Sequence, residues 1–320
     1  MGWRYHIAFN EREIRMKRLL AGVVGYVCLS VAAFAGGAWV PPPGKGDLQL
    51  GFSRKTASSS WDASGEAFAN TTNFEGHVVP AYHDFRYAYL SGEIGLVNRM
   101  SARFLVTYLY GLEGPHEDLE KNVGWSDAWL GLKYGVAQGG WPMTLGATMR
   151  TPALYDLPGA YNRYIFDGSG NRRGVSPEWR GVLKRDYTFS YAVSHSFAEG
   201  AWLSAETGYT FREGAPANQI PFNGEIGWPL HGRWHGAAVK GSVSAVASLG
   251  NDSPARADDR FRARADGTFN FNDASMLKAG VSLIVPLRGN VDAEIGYSQW
   301  LWGESARRYR EPYVSLGYRF

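Results

Sequence analysis

Cysteine is almost absent from this chain of 320 residues; the one present, Cys28, lies near the start. A disulfide framework and a thiolate metal site are therefore excluded. Beyond the first 40 residues there is also no run of the ~18 apolar residues that a membrane-spanning helix requires. Excess charge is missing too. Residues 1–35 hold five of the 33 basic and two of the 30 acidic residues, so the chain that follows is formally neutral. Neutrality gives no reason to expect a nucleic-acid partner. The seven histidines are scattered without metal-ligand spacing. No glycine loop of the phosphate-cradling kind occurs, so no cofactor is expected.

What is abundant points elsewhere. The chain has 12 tryptophans, 18 tyrosines and 40 glycines, residues suited to strands, interfaces, turns and tight curvature. At the N-terminus Lys17 and Arg18 precede an apolar run from Leu19 to Ser30, and Ala33-Phe34-Ala35 places small residues where a signal peptidase reads. A signal peptide over 1–35, cut after Ala35, is expected, with Met16 as an alternative start. Gly25 stands where a lipoprotein signal carries an aliphatic residue, which argues against lipidation of Cys28. A lead-in over 36–46, stiffened by Pro41-Pro42-Pro43, precedes a single unit over 47–320.

That unit alternates with a period of two. Pro312, Val314, Leu316, Tyr318 and Phe320 share one face of the last segment, while Tyr313, Ser315, Gly317 and Arg319 share the other. The same alternation recurs along the chain, in segments of the length needed to cross a bilayer as strands. Strands are expected near 47–56, 83–95, 101–112, 124–136, 142–152, 180–196, 202–212, 220–229, 235–249, 275–287, 291–302 and 311–320. Short links such as 96–100, 137–141, 197–201 and 288–290 alternate with long ones at 57–81, 152–179 and 250–274, a sorting that a sandwich does not need. An even count returns both termini to one side. The segment 261–271 would break that parity, and its charges suit an outer loop. The fold class is therefore all-β: a transmembrane antiparallel up-and-down β-barrel of about 12 strands in the bacterial outer membrane.

The weakest strand is 83–95, where Phe85, Tyr87 and Tyr89 are read as outward and Leu90 and Ile94 change phase. A bulge near 89–91 would repair it. Tyr82, Phe85, Trp228, Trp234, Tyr297, Tyr318 and Phe320 are candidates for interfacial belts.

Arg86, Arg103, Asp127, Lys133, Arg150, Lys184, Asp186, Glu206, Arg212, Glu225, Lys240, Lys278, Asp292 and Glu294 are expected to line the lumen, with Asp47 and Arg319 near its end. Both signs are interleaved. A strongly selective ion pore carries a ring of one sign, so weak selectivity is expected, and cross-strand pairing accounts for these charges equally well. Trp125, Trp129 and Trp202 are also read as inward. The long third outer loop, with Tyr155, Tyr161, Arg163, Tyr164 and Phe166, is the candidate constriction. The competing account of its arginines, and of Arg307, Arg308 and Arg310, is contact with lipopolysaccharide phosphates.

The signal, the strand pattern and the ending Tyr318-Arg319-Phe320 resemble Gram-negative outer-membrane β-barrels. Five residues before the final aromatic, where that pattern often has glycine, this chain has Ser315. More narrowly, Trp39-Val40-Pro41 to Gly46, Arg150-Thr151-Pro152, and Tyr209-Thr210-Phe211-Arg212 followed by Ala215-Pro216-Ala217-Asn218 resemble an outer-membrane transporter family linked with phenol meta-pathway degradation. The resemblance implies passage of small, often hydrophobic compounds and brings no catalytic residues. Implied partners are outer-membrane lipid and lipopolysaccharide, the barrel-assembly machinery during biogenesis, and a small solute. The rival reading is a closed structural or envelope-assembly barrel acting through its outer loops. A membrane hydrolase, resting on Ser194-His195-Ser196 alone, is a distant third.

Overall fold

A computed structural model describes residues 37–61, 65–69, 71–74, 77–115, 120–151, 162–166, 172–177, 185–213, 217–231, 236–250, 274–304 and 306–320. Twelve strands form the wall: β1 (Gly46–Ala57), β2 (His77–Val97), β3 (Met100–Pro115), β4 (Glu120–Ala137), β5 (Met143–Thr151), β6 (Asp186–Ser196), β7 (Trp202–Arg212), β8 (Gln219–Pro229), β9 (Ala238–Ser248), β10 (Ser275–Pro286), β11 (Val291–Glu304) and β12 (Arg310–Arg319). Each pairs antiparallel with its neighbours in sequence, and β1 pairs with both β12 and β2, so the sheet closes on itself. Closure leaves no edge whose backbone groups would face hydrocarbon unpaired.

The alternation sorts side chains inside out. Ile295, Phe189 and Phe52 are 62%, 57% and 55% exposed on the outer surface, whereas Ser101, Thr144, Ser194, Lys133 and Asp127 are buried within. A water-soluble domain would reverse this arrangement; only a lipid surround makes it favourable. Register lines the outward residues into tiers. On β11, β12, β1, β2 and β3, Val291, Tyr318, Leu48, Gly92 and Phe104 form one row, and Ala293, Leu316, Leu50, Leu90 and Val106 the next. This is a membrane-spanning barrel of outer-membrane type.

Three local details differ from the pattern read in sequence. Across Tyr89–Ser91, β2 stays in unbroken register with both β1 and β3; its irregularity falls later, between Gly95 and Val97. Phe85, Tyr87 and Tyr89 therefore point inward, opposite Lys55, Ser53 and Gly51, and Arg86 points outward, opposite Arg54. Three aromatics in alternation had suggested a lipid face, but the inward phase is set by Ser91 and Glu93, which lie buried further along the same strand. A register shift between Val106 and Tyr108 puts Trp125 opposite Tyr108 on the outer face, where their rings meet edge to face at 5.4 Å. Trp129 remains inward.

Inward glycines hold aromatic rings against the wall. Gly51 stands directly opposite Tyr89, Gly227 opposite Trp202, and Gly296 opposite Tyr313. In each pair the ring occupies the space a Cβ would need, so it lies over the neighbouring strand instead of projecting toward the axis.

At the end bearing the long links, Ser59–Trp61, Ala67–Ala69 and Ala306–Arg307 form a three-stranded sheet, Thr71–Phe74 extends β2 as a hairpin, and Asn162–Phe166 pairs with Arg172–Pro177. The segment 261–271 lies outside the described residues. The opposite end carries the tight turns, among them Gly289 with φ 63; it is the periplasmic end by the usual disposition of such barrels.

Candidate solute channel

The periplasmic mouth is crossed by the chain itself. Before β1, Gly44 N–H donates to Gly95 O at 2.8 Å and Gly95 N–H to Lys45 O at 2.9 Å, tying the lead-in to β2. The segment then reaches β6 and β7, halfway round the ring: Ala38 N–H donates to Ser194 Oγ at 2.7 Å, and Lys133 Nζ donates to Gly37 O at 3.2 Å. Gly37 has φ 56, and a Cβ there would stand 2.6 Å from the hydroxyls of both Ser194 and Ser204. Only glycine fits that passage.

Above this strap the lumen is lined by charge pairs. Lys133 lies 2.7 Å from Glu93, and Ser101 donates its hydroxyl to the same carboxylate. Arg103 reaches from β3 to Glu206 on β7 at 3.2 Å and donates to Thr148 on the way. Arg150 sits 2.7 Å from Asp127 and 3.5 Å from Asp186, with its guanidinium 5.5 Å from the Trp129 ring centre; Arg212 also approaches Asp186, at 3.6 Å. On the other wall Lys240 meets Glu294 at 2.7 Å, and Tyr313 donates to Glu294 at 2.9 Å. Lys278 and Lys55 flank Glu311 at 2.6 and 3.6 Å. Trp202 donates to Glu225 at 3.2 Å, and Arg319 pairs with Asp292 at 2.9 Å. Neighbouring opposite charges neutralise one another in place, and no ring of one sign appears among the described residues.

Of the sequence-derived candidates, Arg103, Asp127, Lys133, Arg150, Asp186, Glu206, Arg212, Glu225, Lys240, Lys278, Asp292 and Glu294 face the lumen. Arg86 does not: it is on the outer wall, bonded to Asp84 at 3.0 Å. Lys184, Tyr155 and Tyr161 lie outside the described residues. Arg163, Tyr164 and Phe166 fall on the backbone of the outer hairpin. Sequence reasoning passed over Lys55, Glu93 and Glu311. Extending the alternation of β1 and β12 by two residues would have found Lys55 and Glu311; Glu93 was lost with the phase of β2.

Toward the outer mouth the charge pairs at Asp186 and Glu311 share the lining with an apolar patch on β2 and β3. There Leu109 is fully buried and Phe85 nearly so. Tyr309 packs edge to face on Phe85 at 6.2 Å and on Trp300 at 5.1 Å. The mouth is thus narrowed on the side of β1, β2 and β11.

The only Ser–His grouping noted in the sequence is split by the strand. Ser194 points inward, its Oγ accepting from Ala38 and donating to Ser204. His195 points outward, stacked on Trp141 at 4.2 Å with Nδ1 against Gly140 O. Its neighbour Phe197 completes an interfacial aromatic group. Among the other belt candidates, Trp228, Tyr297 and Tyr318 are exposed outward, and Phe320 stacks on Tyr318 at 6.2 Å. Phe85 belongs to the lumen. Trp234 lies outside the described residues, as does the Tyr82 side chain.

An outer membrane channel from Pseudomonas putida F1 superposes with a TM-score of 0.59 at 12% identity, over 89% of this chain and 98% of that one. The translocator domain of the autotransporter NalP from Neisseria meningitidis gives 0.47 at 11% identity, over 98% of each chain. The CymD monoaromatic hydrocarbon channel gives 0.43 at 8%, over 88% and 89%. At 12% identity the likeness to the Pseudomonas putida F1 channel is one of fold. No family model and no curated protein sequence matches the chain.

Proposed function

We propose that this barrel is a passive channel through which small solutes, hydrophobic and aromatic ones included, diffuse across the bacterial outer membrane. The observation that carries the reading is a lumen whose charges are neutralised in pairs and whose rings lie flat against glycine, so the wall is lined and the axis is not filled by those rings. The fold it shares with the Pseudomonas putida F1 outer membrane channel supports the same reading. Trp129, Tyr87, Tyr89 and Tyr313 offer flat apolar surface along the path. Twelve strands enclose a bore between the side-chain-filled eight-strand barrel and the wide sixteen-strand porin. The strap over residues 37–45 narrows the periplasmic mouth, and the third outer loop, with Tyr155, Tyr161, Arg163, Tyr164 and Phe166, constricts the outer one. The signal peptide is removed after Ala35, the barrel-assembly machinery folds the chain into the membrane, and lipopolysaccharide surrounds its outer half. No catalytic step forms part of this function.

Planar-bilayer recording tests it. Protein lacking residues 1–35 gives small single-channel steps. Deleting Gly37–Pro43 enlarges them, and so does deleting Tyr155–Arg173. Heat-modifiable, correctly folded protein that gives no steps with or without the strap refutes the channel. The second reading, a closed barrel that acts through its loops, is favoured by the three-stranded sheet at one end and the strap across the other. It predicts silence in every one of these recordings.

A further inference from the structure

We propose that the outer wall formed by β11, β12, β1, β2 and β3 is a binding site for a phosphorylated, acylated glycolipid of the outer leaflet, with its phosphate on Arg54, Arg86 and Arg310 and an acyl chain in the groove below. The site rests on this face lying in lipid and is independent of what crosses the lumen.

The register builds the site in three tiers. The lowest is Ile295, Val314, Phe52, Ala88 and Tyr108, one directly opposite the next across five strands. With Pro312 these residues border an open groove of about 640 Å³, and Ala88 is the short side chain at its floor. The middle tier sets Tyr297 opposite Pro312, and Arg54 opposite Arg86 and then Tyr110. In the top tier Gln299, Arg310, Thr56, Asp84 and Leu112 follow one another. Successive tiers stand roughly 5 Å apart in height for strands tilted about 40°. The arginines therefore begin above the apolar rows of this face, on the side of the long outer links, where outer-leaflet headgroups lie.

Two features distinguish this from ordinary headgroup solvation. Like charges directly opposite on a sheet repel, yet Arg54 faces Arg86. Asp84 holds them together, accepting from Arg54 Nε and Nη2 at 2.9 Å each and from Arg86 Nη2 at 3.0 Å. One carboxylate shared by two guanidiniums leaves a fixed positive fork, still 56% and 53% exposed, and Arg310 adds a third cation diagonally beside it. A phosphate monoester matches that charge and the donor geometry of the fork. The cluster is also confined to one place: among the described residues of the twelve strands, outward arginines occur only on β12, β1 and β2. A non-specific attraction to headgroups would spread them around the ring.

The test uses the mature barrel in detergent, with bisphosphorylated lipid A as the probe and bound lipid counted by native mass spectrometry. Wild-type protein retains the probe, while dephosphorylated lipid A and phosphatidylglycerol bind at least tenfold more weakly. The variant Arg54→Gln/Arg86→Gln/Arg310→Gln loses at least tenfold in retention of the bisphosphorylated form. Ala88→Phe, which fills the groove and leaves the arginines intact, loses several-fold. Heat-modifiability confirms folding, and the conductance of the same samples, which reports on the lumen alone, stays at the wild-type value. Equal retention of phosphorylated and dephosphorylated lipid A overturns the site. Wild-type retention by the folded triple-Gln variant overturns it as well, and so does phosphatidylglycerol binding as tightly as lipid A.

Discussion

Replacing Gly296 by alanine probes how the lumen is kept open. The added methyl would stand 2.6 Å from Tyr313 Cε1 and 2.5 Å from its hydroxyl oxygen. Tyr313 Cζ is closer still, and ordinary contact begins near 3.4 Å, so the ring must recede by roughly 1 Å. Backbone lies behind it, and the space in front is the lumen, so the ring swings toward the axis. That motion stretches the 2.9 Å bond from Tyr313 to Glu294, whose carboxylate also holds Lys240. Inserting a methylene into a packed site costs about 1–3 kcal/mol. The melting midpoint should fall by roughly 5 °C, measured from the heat-modifiable band on a gel, and single-channel conductance should fall with it. Gly224→Ala is the control: its new methyl meets nothing closer than 3.5 Å. Adding Tyr313→Leu to Gly296→Ala should recover the conductance, because the ring that obstructs is gone. If Gly296→Ala melts and conducts like Gly224→Ala, the account of rings held against glycine is wrong.

Three further outcomes follow from the lumen and the turn end. Lys133→Met strips the buried Glu93 of its cation and the strap of one tie; it should destabilise the barrel by about 3–5 kcal/mol and raise conductance. Lys133→Met/Glu93→Gln should regain much of the stability and keep the larger steps, as melting and bilayer recording would reveal. Because opposite charges are paired throughout the lumen, the reversal potential across a potassium chloride gradient should stay close to zero; a strong preference for either ion would contradict the pairing. With Ser194 and His195 on opposite faces of β6, wild-type protein and His195→Ala should hydrolyse a detergent-dispersed phospholipid at the same background rate, and a rate lost on that substitution would restore the hydrolase reading.

Much of the architecture could be read before any coordinates. A period of two persists wherever one side of a strand meets lipid and the other water, so β1, β5, β6, β7, β10 and β12 could be placed face by face. Loop lengths then supplied the even count. What resisted was any strand whose two faces were chemically alike. In β2 the inward Phe85, Tyr87 and Tyr89 are as greasy as the outward Leu90 and Ile94, and hydropathy cannot assign the phase of such a strand. Trp125 was misplaced for a related reason: the irregularity beside Tyr108 inverts the alternation locally, and a bulge carries no reliable mark in composition.

Periodicity is a property of each strand and its two solvents, so the amino-acid order by itself determined that this chain is a twelve-stranded cylinder with a greasy exterior and a wet interior. Partnership between strands is a property of closure. Only the closed ring set Arg103 beside Glu206 four strands away, brought Gly37 to the far wall under Ser194 and Ser204, and aligned Arg54, Arg86 and Arg310 into one outward cluster. Each of these contacts depends on the register in which non-adjacent segments meet, and local sequence does not encode that distance.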